Sequence, residues 1–278
     1  MKKRLLHRIV PFLLPAALLT LTACIFRHPE PAPVPAPAPA EQTVPVQVGG
    51  HTEYTPRIEN LPKSTFDPEK LSWDSGVLHY PGAENGIDVS SHQGEVDWQK
   101  VREAGIDFVI LRAAYRGYES GALVADPRFA ENYAGASAAG LKVGAYVFSQ
   151  AITEEEAAEE AQFVADALDG AALELPIYFD WEYVGGARAD SLTPAQLTDN
   201  ALSFCRTAEQ AGYTGGVYFS FVAGYLNYDL GRLKDYPFWL AMYQNDMSFY
   251  YDISMWQYSS EGTVPGISEA VDLNLKFS

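Results

Sequence analysis

From Gly86 onward, short apolar, β-branched and aromatic runs alternate with segments of helical spacing. The runs Gly86–Ser90, Phe108–Tyr115, Val143–Ser149, Ile177–Glu182, Gly216–Phe221, Phe238–Tyr243, Met255–Tyr258 and Val271–Leu275 predict strands. Helix starts are marked between them. Asp126-Pro127 offers an N-cap before a proline in the first turn. Thr153-Glu154-Glu155-Glu156 reads as a capping box, and Thr193-Pro194-Ala195-Gln196 combines the box with the proline. Strands that alternate with helices pair in parallel. The last three strands have little helix between them, so the pattern predicts an α/β barrel without its late helices. A full eightfold barrel needs about 250 residues, more than this region has. The acid run Glu154–Glu160 reads as the solvated face of a helix start, where carboxylates complement the dipole.

The beginning of the chain follows another pattern. Basic residues 1–8 precede an apolar stretch, Ile9–Leu21, too short and too interrupted by proline to span a bilayer comfortably. It ends in Leu21-Thr22-Ala23-Cys24, which resembles the bacterial lipobox, whose cysteine becomes a lipidated first residue. Residues 1–23 are expected to be a lipoprotein signal peptide. Cys24 is the expected lipidation site, with acyl chains that anchor by ~0.8 kcal/mol per buried CH2. The protein is then exported and held at the outer side of the cytoplasmic membrane or the cell surface. From Pro29 to Val48, alternating proline and alanine favour polyproline II, a semi-rigid spacer that packs no core. Residues 49–83 are polar with scattered aromatics and are expected to lie along the domain surface. The expected organisation is a signal peptide over 1–23, a tether and polar extension over 24–83, and a catalytic domain over 84–278.

Composition narrows the function. A content of 47% hydrophobic and 13% aromatic residues builds a sizeable core. A net charge of −17 repels phosphate backbones and argues against nucleic-acid binding. Two cysteines exclude a disulfide framework and a Cys-rich zinc module. Cys205, in a helical pattern, reads as a buried, inert thiol. His92 is the one histidine beyond residue 84, so no metal or other cofactor is expected. It reads as a loop hydrogen-bonder near Asp88. The chain has no Gly-x-Ser-x-Gly elbow, His-Glu-x-x-His, Walker loop or Gly-x-Gly-x-x-Gly.

The candidate chemistry lies in Leu175–Glu182, where an apolar strand ends in Asp180 and Glu182. Residues two apart point to one face of a strand, with backbones ~6.7 Å apart. Two carboxyl groups at a barrel mouth suit glycosidic cleavage. One is protonated to assist the leaving group, and the other is ionised to stabilise a developing cation. Repulsion and partial burial separate their pKa values. The competing reading is a pair of loop carboxylates that cap the next helix. Asp88 in the first strand and Asp272 in the last add two further acids, and those strands are neighbours in a barrel. Each alone also reads as a hydrogen-bonded structural Asp. Tyr115, Tyr146, Tyr178, Trp239, Tyr243, Trp256 and Tyr258 cluster near strand ends. They suit the flat C–H faces of sugar rings, or else fill the core.

These segments together resemble glycoside hydrolase family 25, the Chalaropsis-type lysozymes. The resemblance rests on Gly86–Gly94 (GIDVSSHQG) with Asp97-Trp98, Phe108–Tyr115, Lys142–Phe148, Pro176–Glu182, Phe238–Tyr243, Trp256-Gln257-Tyr258 and Val271–Asn274. It runs in order from about residue 84 to the last strand. It implies an irregular TIM-like (β/α)5(β)3 barrel, and hydrolysis of the β-1,4 bond between N-acetylmuramic acid and N-acetylglucosamine in peptidoglycan. It makes Glu182 the general acid, and Asp180 the group that steers the substrate's N-acetyl group or stabilises an oxocarbenium-like state. Asp88 and Asp272 would hold the floor of the site and tune its ionisation. Tyr146 and Tyr178 would contact sugar, while Trp239, Tyr243 and Gln257 line the groove, with Tyr115 a further substrate contact. Val147 departs from the family, which often carries His or another polar residue there; that bears on a groove contact. The expected partners are peptidoglycan glycan strands and, through the anchor, a membrane; a monomer is expected. The ~6.7 Å spacing exceeds the ~5–5.5 Å of a direct double displacement, which points to substrate-assisted retention, with inversion as the alternative. A wall-binding lipoprotein that keeps the groove without cutting is the competing function; the presence of all four acids favours the enzyme.

Overall fold

The computed structural model describes residues 42–74, 76–244 and 247–277. The expected signal segment, Cys24 and most of the Pro-Ala stretch lie outside the described residues. The described chain opens with an antiparallel hairpin of β1 (Thr43–Val48) and β2 (His51–Pro56), turned by Gly49 and Gly50 at positive φ. The polyproline reading therefore fails over its last six residues. Val44 and Val46, at 3% and 0% exposure, alternate with exposed Pro45 and Gln47. That is strand period, and a two-stranded sheet tolerates Pro45 because it leaves alternate N–H groups unpaired.

A second small hairpin follows, β3 (Ser72–Asp74) with β4 (Val77–His79). Leu61 and Leu78 are buried, and the stacked rings of Phe66 and Tyr80, 5.1 Å apart, meet Phe277 edge-on. Residues 49–83 thus contribute to the core rather than only lying along the surface.

The barrel begins at β5 (Glu84–Val89) and continues through α1 (Trp98–Glu103), β6 (Phe108–Arg116), the short β7 (Leu123–Ala125) and α2 (Phe129–Ala138). Next come β8 (Lys142–Ser149), α3 (Glu154–Leu168), β9 (Ile177–Trp181), α4 (Pro194–Gln210), β10 (Gly215–Ser220) and α5 (Phe221–Leu226). The chain ends with β11 (Phe238–Ala241), β12 (Met255–Gly262) and β13 (Val271–Lys276). The barrel order is β5-β6-β8-β9-β10-β11-β12-β13, and β13 closes back onto β5. Neighbours are parallel except β13, which runs antiparallel to both its partners. Among the described residues each of the first five barrel strands is followed by a helix and the last three are not. This is the expected (β/α)5(β)3 arrangement, with β7 added as a hairpin on β6.

The strand period separates two apolar layers. Val109, Leu111, Val143, Phe179 and Val217 face outward onto the helices, where Phe204 and Cys205 of α4 meet them. Val147 belongs to this outer layer, so no groove contact depends on it. Phe108, Ile110, Tyr178, Tyr218, Trp239 and Met255 fill the lumen. Such large side chains fit only because other inward positions are glycine: a Cβ on Gly86 would lie 2.1 Å from the Phe108 ring. Burial pushes the Cys205 thiol up, consistent with an inert group.

Two local expectations are corrected. Asp126 is not the N-cap of α2, which is Arg128; its Oδ1 accepts from Arg128 N just ahead of the helix, while its Oδ2 accepts from Ser91 N and the Arg112 guanidinium. The acid run is not a uniformly solvated face either. Glu160 is fully buried and accepts a 2.6 Å hydrogen bond from Arg116 Nε.

Candidate active site

Antiparallel register sets Asp272 of β13 directly opposite Asp88 of β5, both near the end of the barrel where the parallel strands finish. Asp180 lies near the end of β9, and Glu182 follows just past it on the same face. All four carboxyl groups line one cavity of about 90 Å3 at this mouth. Of the expected substrate contacts, Tyr146, Trp239, Tyr243 and Gln257 also line this cavity. Tyr178 and Tyr115 do not. Tyr178 lies a layer deeper, its ring 5.1 Å from Trp239, and Tyr115 carries the Arg112 guanidinium over its ring at 5.5 Å. Trp256 and Tyr258 belong to the outer layer, where Tyr258 Oη accepts from Leu78 N. His92 is exposed; its backbone N–H donates to Ser90 Oγ in the turn after β5.

A directional network holds the floor. Asp88 Oδ2 accepts from Gln257 Nε2 and from Asn274 Nδ2, both at 2.8 Å. The amide oxygens are fixed in turn. Tyr218 and Tyr243 hydroxyls donate to Gln257 Oε1 at 3.0 and 2.9 Å, and Trp239 Nε1 donates to Asn274 Oδ1 at 2.8 Å. Because Trp Nε1 is a donor only, the orientation of Asn274 is determined, and both amides present N–H to Asp88. Tyr218, Asn274 and Arg112 are the residues that sequence reasoning assigned no role. Their signal is the inward phase of their strands, such as Phe108, Ile110 and Arg112 in β6.

The four acids share one electrostatic problem. Burial raises Asp88 well above the ordinary carboxylate range, and the charge of Asp272 adds to it. Burial also raises Asp272, while a hydrogen bond between the two carboxyl groups pulls it down and favours the proton on Asp88. Asp180 is raised by burial, then by Glu182 and Asp88, with the Arg112 guanidinium opposing. Glu182 stands at the open rim of the mouth, yet burial of its carboxyl and the nearby Asp272 raise it too. Asp180 Oδ1 is buried and has no hydrogen-bond partner among the described residues. Such an arrangement raises the proton affinity of both Asp180 and Glu182 and leaves a buried oxygen of Asp180 without a partner among the described residues. Among the described residues no set of three or more His, Cys, Asp or Glu side chains is arranged to hold a metal ion.

Known proteins share this framework. The lysozyme of Streptomyces coelicolor superposes with a TM-score of 0.56 at 26% identity, covering 70% of this chain and 92% of that one. The autolysin LytC of Streptococcus pneumoniae, solved with a synthetic peptidoglycan ligand, gives 0.63 at 25% identity and covers 74% of this chain and 52% of that one. In sequence, the autolytic lysozyme of Clostridium acetobutylicum is 30% identical over 194 residues, 68% of this chain and 54% of its own length. The chain thus spans about half of that relative. Lysozyme M1 of Streptomyces globisporus is 30% identical over 204 residues, 68% of this chain and 66% of its own length. The pattern of glycosyl hydrolases family 25 matches residues 87–267, from within β5 to just before β13. By that match, over a segment that carries most of the barrel together with Asp88, Asp180 and Glu182, the chain belongs to glycosyl hydrolase family 25.

Proposed function

We propose that the protein hydrolyses the β-1,4 bond between N-acetylmuramic acid and N-acetylglucosamine in peptidoglycan, with Glu182 as general acid and Asp180 as partner. The observation that carries this reading is the convergence of Asp88, Asp180, Glu182 and Asp272 on one cavity, with Asp180 Oδ1 left as an unsatisfied acceptor. The names of the relatives, lysozyme and autolysin, support the substrate. Glu182 gives its proton to the glycosidic oxygen as the C–O bond breaks. Asp180 accepts the N–H of the muramyl acetamido group, whose carbonyl oxygen attacks the anomeric carbon. Water then opens the cyclic intermediate with Glu182 as base, restoring the carboxylic acid and retaining configuration. Asp88 and Asp272 stay below, where the hydrogen-bonded floor limits their movement. On the strength of residues 1–24 alone, we place the protein outside the cytoplasm as a lipoprotein anchored through Cys24.

The test compares the full chain with Glu182→Gln on purified peptidoglycan, with products reduced by borohydride and identified by mass spectrometry. Muramitol ends from the parent, reduced about 10²-fold to 10⁴-fold in the variant, are expected. Glucosaminitol ends would overturn the bond assignment. An α-anomer released first would replace retention by inversion. A parent that pellets with the wall and releases nothing would leave a wall-binding protein.

A further inference from the structure

A second cavity, of about 380 Å3, opens beside the carboxylate cavity and shares Glu182, Tyr218 and Tyr243 with it. Its other walls include Ser220 and Phe221, at the start of α5, and Gln47 of β1. Gln47 lies outside the segment that matches the family, which begins at residue 87. The hairpin therefore lies outside the matched segment, yet it stands at the mouth of the site.

The hairpin is firmly seated. Val44 and Val46 are buried, and β1 packs against α5. Gln47 stands on the opposite, exposed side of the strand, and its Nε2 donates to Thr52 Oγ1 of β2 at 2.8 Å. This cross-strand bond restricts the side chain before any ligand arrives, which lowers the entropy lost on binding. Tyr243, 55% exposed, offers a ring to the same cavity. An amide and an aromatic face are the groups that bind a sugar's hydroxyl or acetamido substituents and its C–H face.

The chemistry fixes which sugar this is. Asp88, Asp180 and Asp272 line only the first cavity, where the cation develops, while Glu182 is common to both. A general acid protonates the oxygen that joins the ring being cleaved to the ring that departs. The space beyond it receives the departing side. Resting on Glu182 as the acid, we propose that the β1–β2 hairpin completes the binding site for the saccharide on the leaving-group side of the bond. Gln47 is its specificity-determining contact.

The experiment uses the full chain, Gln47→Ala and Gln47→Trp, with two substrates. One is a peptidoglycan glycan chain; the other is an aryl β-glycoside of N-acetylmuramic acid, whose leaving group carries no sugar. The ratio of kcat/KM for the chain to that for the aryl glycoside is expected to fall about threefold to tenfold in Gln47→Ala, the range of one hydrogen bond. It falls further in Gln47→Trp, which fills the cavity and suits a strand. A ratio equal to the parent's in both variants overturns the proposal. Equal losses on both substrates also overturn it, because they mark a general disturbance of the mouth. A parent inactive on both substrates overturns the reading of Glu182 itself, and shows before any variant is made.

Discussion

Asp180 is 4% exposed, and its Oδ1 lacks a partner among the described residues in a cavity that three other carboxyl groups also line. Burial first, then Glu182 and Asp88, raise its pKa above the value it would have in the unfolded chain. A carboxyl group raised in this way binds its proton more tightly in the folded state. The associated stability is present at low pH and is lost as pH rises from the unfolded value, about 3.9, through the folded one. At neutral pH the charge therefore works against the fold. Asp180→Asn is expected to raise Tm at pH 7, by about 2–4 °C for each kcal/mol recovered, and to do little near pH 4. The same change should lower glycan cleavage by about 10²-fold or more. Melting curves at the two pH values, with a cleavage assay beside them, check this. A lower Tm at pH 7 would show that the ionised carboxylate is held by favourable contacts instead. Such opposition between stability and activity is ordinary for a site that gathers like charges.

At the level of elements, α3 ties together the loops that follow β6 and β9. Arg116 at the end of β6 bonds Glu160 at 2.6 Å, Glu159 at 2.8 Å and the Gly121 carbonyl at 2.8 Å. Arg188, in the loop after β9, forms two bonds of 2.9 Å with Glu156. Burial lifts Glu160 to about 7 despite its arginine. Arg116→Leu leaves that buried acid unpaired and is expected to cost about 3–5 kcal/mol in urea denaturation at pH 8. The loss should shrink at pH 5, where Glu160 takes up a proton; a loss below about 1 kcal/mol at pH 8 would remove the pair's structural role. The acid run that holds this arginine gave no sign of it in sequence, because the partners are 44 residues apart. Local signals were readable. Thr153 and Thr193 cap their helices as expected, and the eight barrel strands lie within a residue or two of their apolar runs apart from one end point, Tyr258, where β12 runs on to Gly262. The Asp180 and Glu182 pair was readable because strand period alone puts both on one face. The roles of Arg112, Tyr218 and Asn274 depend on which strands become neighbours, which no single segment encodes. The β1 strand was hidden by Pro45, whose composition signal outweighed the alternation of Val44 and Val46.

For the molecule as a whole, 36 acidic residues face 19 basic ones. A protein of this charge meets an anionic wall with long-range repulsion, and salt relieves it. Activity on intact walls is expected to rise between about 0.01 M and about 0.1 M ionic strength, as the Debye length falls from ~30 to ~10 Å. A steady fall across that range in a turbidity assay would contradict the argument. The closing strand carries a different consequence. Because β13 is inserted between β12 and β5, Asp88 meets Asn274 across 186 residues of sequence. Contacts of such separation form late, after the entropy of a very long loop has been overcome. During synthesis, the first strand of the barrel leaves the ribosome long before the strand that completes its floor. A nascent chain that has not reached Val271, or one clipped before it, carries Asp180 and Glu182 but no closed cleft around them, so under the proposed function it is not expected to cut until β13 has docked.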